Sequence, residues 1–75
     1  MKEDRMINIE KTGKNINRIR QDKNLSMRDL QSLVGLETLN AVYNWTSGKR
    51  LPSIDNLVIL ADILGCHIDD ILVVD

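Results

Sequence analysis

The fold is decided by residues 26–52, which read SMRDLQSLVGLETLNAVYNWTSGKRLP. Ser26 is a favourable helix N-cap, and the apolar residues that follow it recur at spacings of three and four, which predicts a short amphipathic helix. These apolar residues are Met27, Leu30, Leu33 and Val34. Gly35 comes just after them, where glycine commonly ends a helix in the left-handed conformation. The stretch therefore predicts a helix, a tight turn and a further helix.

The further helix, predicted over residues 38–47 with Thr38 as its cap, has two unlike faces. One face is apolar, and Trp45 on it is predicted to be core. The other face is polar but uncharged and carries Asn40, Tyr43, Asn44 and Ser47. Such a face is either solvated surface or a binding surface. Solvated helices usually carry Lys and Glu, whereas asparagine is a poor helix former that can bond the N6 and N7 edge of adenine.

Downstream, Gly48 ends this helix, and an extended basic loop, residues 49–52, leads to a fourth helix. Ser53 is its predicted cap and Gly65 its stop, and its wide apolar stripe is predicted to pack centrally in the core. The stripe is Ile54, Leu57, Val58, Leu60, Ala61 and Leu64. A last short helix, IDDIL, follows His67, which occupies the N-cap position.

Upstream, the segment KNINRIRQDK predicts a first helix of roughly ten residues that starts after Thr12 or Gly13. Asn24 is predicted to end it in the left-handed conformation. Residues 1–11 mix charges with isolated apolar residues and predict a mobile N-terminal tail. The folded domain is therefore predicted to span residues 12–75.

Composition limits the class of protein. Seventy-five residues with one Trp, one Tyr and no Phe predict one all-helical domain with a small core of Ile, Leu and Val. Neither a signal peptide nor a membrane span is expected, so the expected location is cytoplasmic. Cys66 and His67 are the only residues of their kinds. Neither an intrachain disulfide nor an ordinary zinc site is therefore expected.

Charge is divided unevenly along the chain, although the net charge is only -1. Residues 11–50 contain eight basic and three acidic residues, whereas residues 51–75 contain five acidic residues and no Lys or Arg. The division predicts a dipolar molecule whose positive half holds the central motif. The alternative is ordinary solvated surface charge.

Three motifs together carry a family resemblance. They are L-S-x-x-x-L-x-x-x-x-G from Leu25, A-V-Y-x-W-x-x-G-K-R-x-P-S from Ala41, and D-N-L-x-x-L-A-x-x-L-G from Asp55 followed by I-D-D-I-L. Over residues 13–72 the chain resembles the lambda-repressor-like, or XRE-family, helix-turn-helix regulators of bacteria and phages. The resemblance implies a compact five-helix DNA-binding domain whose third helix enters the major groove.

The resemblance also implies which residues contact DNA. The base-reading candidates are Thr38, Leu39, Asn40, Ala41, Tyr43 and Asn44. The phosphate-binding candidates are Arg20, Ser26, Arg28, Ser47, Lys49 and Arg50. Cations and the amides at helix N-termini both attract phosphate oxygens.

Three departures from the family pattern bear on this transfer. Thr46 replaces the acid that commonly pairs with an arginine at the position of Arg20, which leaves Arg20 either free for phosphate or merely exposed to solvent. The link from Gly35 to the third helix is one residue longer than the commonest version, which can shift the register of the reading face. We hypothesise that the longer link makes room for Gln31, where many members have a small alanine.

The predicted function is that of a sequence-specific regulator, most simply a repressor, that binds double-stranded DNA without a cofactor or a metal. A weak homodimer on inverted half-sites is expected, with Val73 and Val74 as candidates for the two-fold contact. Catalysis is not expected, because no nucleophile, base and oxyanion donors occur together, and Asp69 and Asp70 suit a helix start. The alternative is a protein-interaction module, antitoxin-like or antirepressor-like, that uses its acidic fourth and fifth helices.

Overall fold

The structure, a computed structural model, describes residues 6–75, and within them it has the predicted five helices. They are α1 (Ile9–Asp22), α2 (Met27–Val34), α3 (Leu39–Thr46), α4 (Ile54–Leu64) and α5 (Ile68–Ile71). The described ends of the chain form one antiparallel β-bridge, between Ile7 and Val74. The all-helical fold class is confirmed.

The predicted caps and stops are largely confirmed, because short polar side chains and glycine meet the local demands of helix ends. Each of the Ser26 and Ser53 hydroxyls accepts the backbone N–H of the third residue of the helix that it caps. The donors are Asp29, at 2.9 Å, and Asn56, at 3.1 Å. Gly35 and Gly65 have φ angles of 86° and 69° and end α2 and α4. Asn24 also takes the left-handed conformation, with a φ of 59°.

One apolar core lies between the helices. Its buried hydrophobic residues are Ile16, Ile19, Leu30, Val42, Trp45, Leu57, Leu60, Ala61, Leu64 and Ile71. Each of the five helices contributes at least one of them. Because the core is shared in this way, α3 is held on its inner side by the rest of the domain.

Part of the predicted apolar pattern is wrong. Ile54 and Val58, predicted to belong to the core stripe of α4, are 78% and 55% exposed, and Leu33 on α2 is 54% exposed. Burial on α4 is confined to the face that carries Leu57, Leu60, Ala61 and Leu64. Helical spacing shows that Ile54 and Val58 adjoin that face, but the neighbouring helices are too few to cover them.

The first helix begins earlier than predicted. It starts at Ile9, with Asn8 as its N-cap, rather than after Thr12 or Gly13, and the Asn8 side chain accepts the N–H of Lys11 at 2.9 Å. Asn8 is itself held by the far end of the chain, since its N–H donates to the Val73 carbonyl at 2.7 Å. The mobile tail remains a prediction, and residues 1–5 lie outside the described residues.

α1 is packed closely against both α3 and the C-terminal segment. A Cβ atom added at Gly13 would lie 2.3 Å from the Trp45 carbonyl oxygen and 2.9 Å from that of Thr46. The buried Thr12 hydroxyl accepts the N–H of Val73 at 2.9 Å. The absence of a side chain at Gly13 therefore permits α1 and the end of α3 to touch.

Within the described part of the chain no helix is long and apolar enough to cross a membrane. Cys66 is half-buried and packs against the core. Burial raises the pKa of its thiol, and the nearby Asp70 carboxylate raises it further.

Candidate nucleic-acid interface

α3 presents one face to the core and the opposite face to solvent. Val42 is fully buried and Trp45 is 5% exposed, as predicted for the inner face. On the outer face Asn40 is exposed, Tyr43 is 50% exposed and Asn44 is half-buried. The two asparagines lie four residues apart on one helix, so their side chains project in nearly the same direction.

The other base-reading candidates surround these three residues. Thr38 occupies the N-cap position of α3 and is exposed, but its side chain makes no capping hydrogen bond. Leu39 and Ala41 are half-buried. None of the six candidates is fully buried, so the sequence prediction is compatible with their accessibility to a ligand.

The turn before α3 begins where α2 ends, at Gly35. The N–H groups of Gly35 and Leu36 both donate to the Gln31 carbonyl, at 3.0 and 2.9 Å. The half-buried Gln31 amide lies 3.5 Å from the Leu36 carbonyl oxygen, a long and weak hydrogen bond. Gln31 therefore contacts the turn, and the hypothesis that a longer link makes room for it remains a prediction.

The basic loop after α3 folds back onto the end of that helix. The N–H groups of Lys49 and Arg50 both donate to the carbonyl of Asn44, at 2.9 and 3.1 Å. Gly48 permits this reversal with a φ of 79°, and the backbone of Glu10 lies too close to it for any side chain. Both cationic side chains are exposed.

The N-terminal end of α2 is a second polar feature. Ser26 and Asp29 form a reciprocal capping box, in which the Asp29 carboxylate accepts the Ser26 N–H at 2.7 Å. This bond from the Ser26 N–H lowers the pKa of the Asp29 carboxyl. The amides of Met27 and Arg28 have no hydrogen-bond partner among the described residues. Arg28 is exposed.

Arg20 is neither free nor simply exposed, which corrects the expectation drawn from the missing acid at position 46. Its side chain is half-buried. The guanidinium donates from Nε to the Asn17 side-chain oxygen at 3.0 Å and from Nη1 to the Leu25 carbonyl at 2.8 Å. Asn17, three residues earlier on α1, has taken the place of the acid as partner.

The last phosphate-binding candidate, Ser47, is exposed at the C-cap of α3, with its hydroxyl 3.4 Å from the Asn44 carbonyl oxygen. It lies near the basic loop. Arg28, Lys49 and Arg50 are the exposed cations of the predicted set. The five acids between positions 51 and 75 are exposed on or beside α4 and α5 and lie outside this group.

Sequence reasoning missed two supporting residues. Asp29 was not identified as half of a capping box, although the S-x-x-D spacing is a recognisable signal for one. Asn17 was not identified as the partner of Arg20, although residues three apart on a helix are neighbours. In the described chain, no group of His, Cys, Asp or Glu side chains is arranged to bind a metal ion.

Comparison with known families gives a match to the helix-turn-helix family HTH_3 over residues 16–71. No curated protein sequence matches the chain significantly. Among solved structures, the chain is similar to the restriction-modification controller protein C.AhdI from Aeromonas hydrophila. The two are 28% identical with a TM-score of 0.77, over 84% of this chain and 94% of that one.

Two further solved structures share the fold at 21% identity. The clp gene regulator ClgR from Corynebacterium glutamicum aligns with 83% of this chain and 65% of its own, with a TM-score of 0.75. The DNA-binding domain of BldD aligns with 88% of this chain and 94% of its own, with a TM-score of 0.73. At this identity the similarity concerns the fold alone.

Proposed function

The chain belongs to the HTH_3 family of XRE-type helix-turn-helix regulators, and from this premise we propose that it represses transcription by occupying a specific operator. In this proposal α3 enters the major groove of double-stranded DNA. Its outer face then meets the edges of the bases. No catalytic step or cofactor is needed for such an activity.

The observation that carries the proposal is the position of the asparagine-bearing face of α3. Asn40 and Asn44 lie on the accessible side of the helix, while Val42 and Trp45 anchor its other side in the core. An asparagine amide recognises adenine through its N6 and N7 atoms, and each such pair contributes about 1–3 kcal/mol of discrimination. Leu39 and Ala41 are suited to contact thymine methyl groups, and Thr38 and Tyr43 complete the reading surface.

Phosphate contacts would hold this face in register. Lys49 and Arg50 extend from the end of α3, and Arg28 extends from the start of α2. The Ser26 and Ser47 hydroxyls and the unpartnered amides at the start of α2 supply neutral hydrogen-bond donors. Affinity that depends on cations falls as salt is added. The logarithm of the binding constant decreases linearly with the logarithm of the salt concentration, and this salt slope is about 0.9 for each phosphate neutralised.

A single α3 reads only a short site, about 4–6 base pairs, so we propose that a weak homodimer binds two inverted half-sites. Val74 of the predicted contact is paired with Ile7 inside one chain. The exposed Ile54 and Val58 are better suited, because burying them removes apolar surface from water. Asp62 and Asp69 line the adjoining groove and would repel the same residues of a second copy, which keeps association weak.

The experiment that tests the function is selection of duplexes from a random library, followed by sequencing and gel shifts at two salt concentrations. A palindromic consensus that shifts at moderate salt supports the proposal. Binding that occurs only at very low salt and without sequence preference would contradict it.

The acidic C-terminal part of the chain favours a second candidate function, that of a protein-interaction module. The apolar groove of about 530 Å³ beside α4 and α5 is lined by Val58, Ala61 and Ile68 and by acidic residues. It suits a cationic apolar segment of a partner protein, as an antitoxin-like or antirepressor-like module would require. Failure of the duplex selection, together with a charge-dependent complex through this groove, would favour that function.

A further inference from the structure

We infer that Arg20 is a positioning residue for DNA binding, which fixes the peptide group where α2 begins instead of contacting a phosphate. The inference rests on the proposed function, because it concerns how the phosphate-binding end of α2 is held. It assigns to this cation a role different from that of the exposed cations Arg28, Lys49 and Arg50.

The peptide group between Leu25 and Ser26 is held at both of its polar atoms. Its carbonyl oxygen accepts from Arg20 Nη1 at 2.8 Å, and its N–H donates to the Asp29 carboxylate at 2.7 Å. A peptide group is planar, so two bonds on opposite edges determine its orientation. That orientation sets the direction in which the Ser26 side chain and the first turn of α2 project.

Arg20 is well anchored for this task. Its Nε and Nη2 atoms both donate to the Asn17 side-chain oxygen, and its own carbonyl accepts the Leu25 N–H at 3.0 Å. Arg20 therefore bonds Leu25 through both its main chain and its side chain, across the turn that Asn24 makes with a positive φ. Three of its five N–H donors are already committed within the protein.

The consequence for binding follows because a hydrogen bond weakens steeply when its distance or angle departs from the ideal. The unpartnered amides of Met27 and Arg28 and the Ser26 hydroxyl bind a phosphate oxygen only if they converge on one point. Releasing the Leu25 carbonyl lets the start of α2 rotate and disperses these donors. Arg20 therefore contributes to affinity through neutral donors, which release no counterions.

Salt dependence separates this role from direct contact. Using the duplex obtained by selection, fluorescence anisotropy is measured from 50 to 300 mM KCl for the wild type, Arg20→Gln and Arg28→Gln. We expect Arg20→Gln to weaken binding about tenfold with an unchanged salt slope. We expect Arg28→Gln to reduce the slope by about 0.9. A comparable reduction of the slope in Arg20→Gln, or no loss of affinity, overturns the inference.

A double-mutant cycle with Ser26 distinguishes positioning from general loss of stability. We expect Ser26→Ala to weaken binding about fivefold in the wild type and by less than about twofold in the Arg20→Gln background, because the two residues act through one contact. Additive losses overturn the inference.

Asn17→Ala provides a milder variant if Arg20→Gln does not fold. It removes the support of the guanidinium but leaves the charge and the Leu25 carbonyl in place, and we expect a loss of about threefold with an unchanged slope. A reduced slope or unchanged affinity in this variant also counts against the inference. Selective binding by the wild type is measured before any variant is compared. If the wild type binds no duplex selectively, the proposed function is rejected instead.

Discussion

At the scale of single residues, Gly13 shows how little space separates α1 from α3. Its missing side chain faces two backbone carbonyl oxygens, which cannot move aside as a flexible side chain can. Alanine is more favourable than glycine in a helix by about 1 kcal/mol. Overpacking typically costs about 1–3 kcal/mol, and so short an approach to a backbone oxygen implies a cost near the top of that range.

We therefore expect Gly13→Ala to lower the free energy of unfolding by about 2 kcal/mol, measured by urea denaturation. The matched control is Lys14→Ala, the exposed neighbour on the same helix, which should change it by no more than about 0.5 kcal/mol. Equal stability of Gly13→Ala and the wild type would show that α1 and α3 leave room for a methyl group at this position.

Asp29 gives the structure a predictable response to acid. Its hydrogen bonds with Ser26 lower the pKa of the folded-state carboxyl below its ordinary value of about 4. The stabilisation is thus fully present above that ordinary value and is lost as pH falls through the lower folded-state pKa. We expect Asp29→Asn to lower the melting temperature at pH 7, and the difference from the wild type to shrink between pH 4 and pH 2. Parallel melting curves at every pH would contradict this role.

At the scale of the helix, α3 and the loop that follows it are expected to divide the work of recognition. Asn44→Ala should lose about 1–3 kcal/mol of discrimination at one base pair. Lys49→Ala should weaken binding to all duplexes alike and reduce the salt slope by about 0.9. Titration of each variant against a panel of single-base operator variants measures both effects. Equal losses for both variants on every duplex would contradict the division.

The order of the helices was predictable because their ends are encoded locally. Ser26, Gly35, Ser53 and Gly65 each satisfy a demand of the adjacent turn, so sequence alone places them. The start of α1 was not predictable in this way. Asn8 is positioned partly by Val73, which lies 65 positions later in the chain, and no local pattern records that contact.

The candidate site was predictable in outline and less so in detail. The unusual absence of charge on the outer face of α3 singled out Asn40 and Asn44, and the family resemblance, now confirmed, supplied the rest. The state of Arg20 could not be derived from the missing acid alone, because a substituted partner, Asn17, was available one turn earlier. Periodicity likewise identified the apolar positions of α4 but could not show which of them remain uncovered, as Ile54 does.

At the scale of the whole molecule, the exposed apolar face of α4 is expected to control self-association. Ile54→Lys should raise the dimer dissociation constant about tenfold or more, measured by sedimentation equilibrium, because one apolar contact per copy becomes a charged one. The control is Leu33→Lys, which places the same charge on an exposed apolar site of α2 and should leave association unchanged. An unaltered constant in Ile54→Lys would exclude this face.

The contact between Met6 and Asp75 has a consequence for engineering. The N–H of Asp75 donates to the Met6 carbonyl at 3.0 Å, so a short peptide can join these positions into a closed ring without disturbing the helices. Cyclisation lowers the entropy of the unfolded ensemble far more than that of the native state, and for a loop of this length the resulting stabilisation is on the order of several kcal/mol. A ring closed there should resist both heat and exopeptidases while leaving the outer face of α3 exposed.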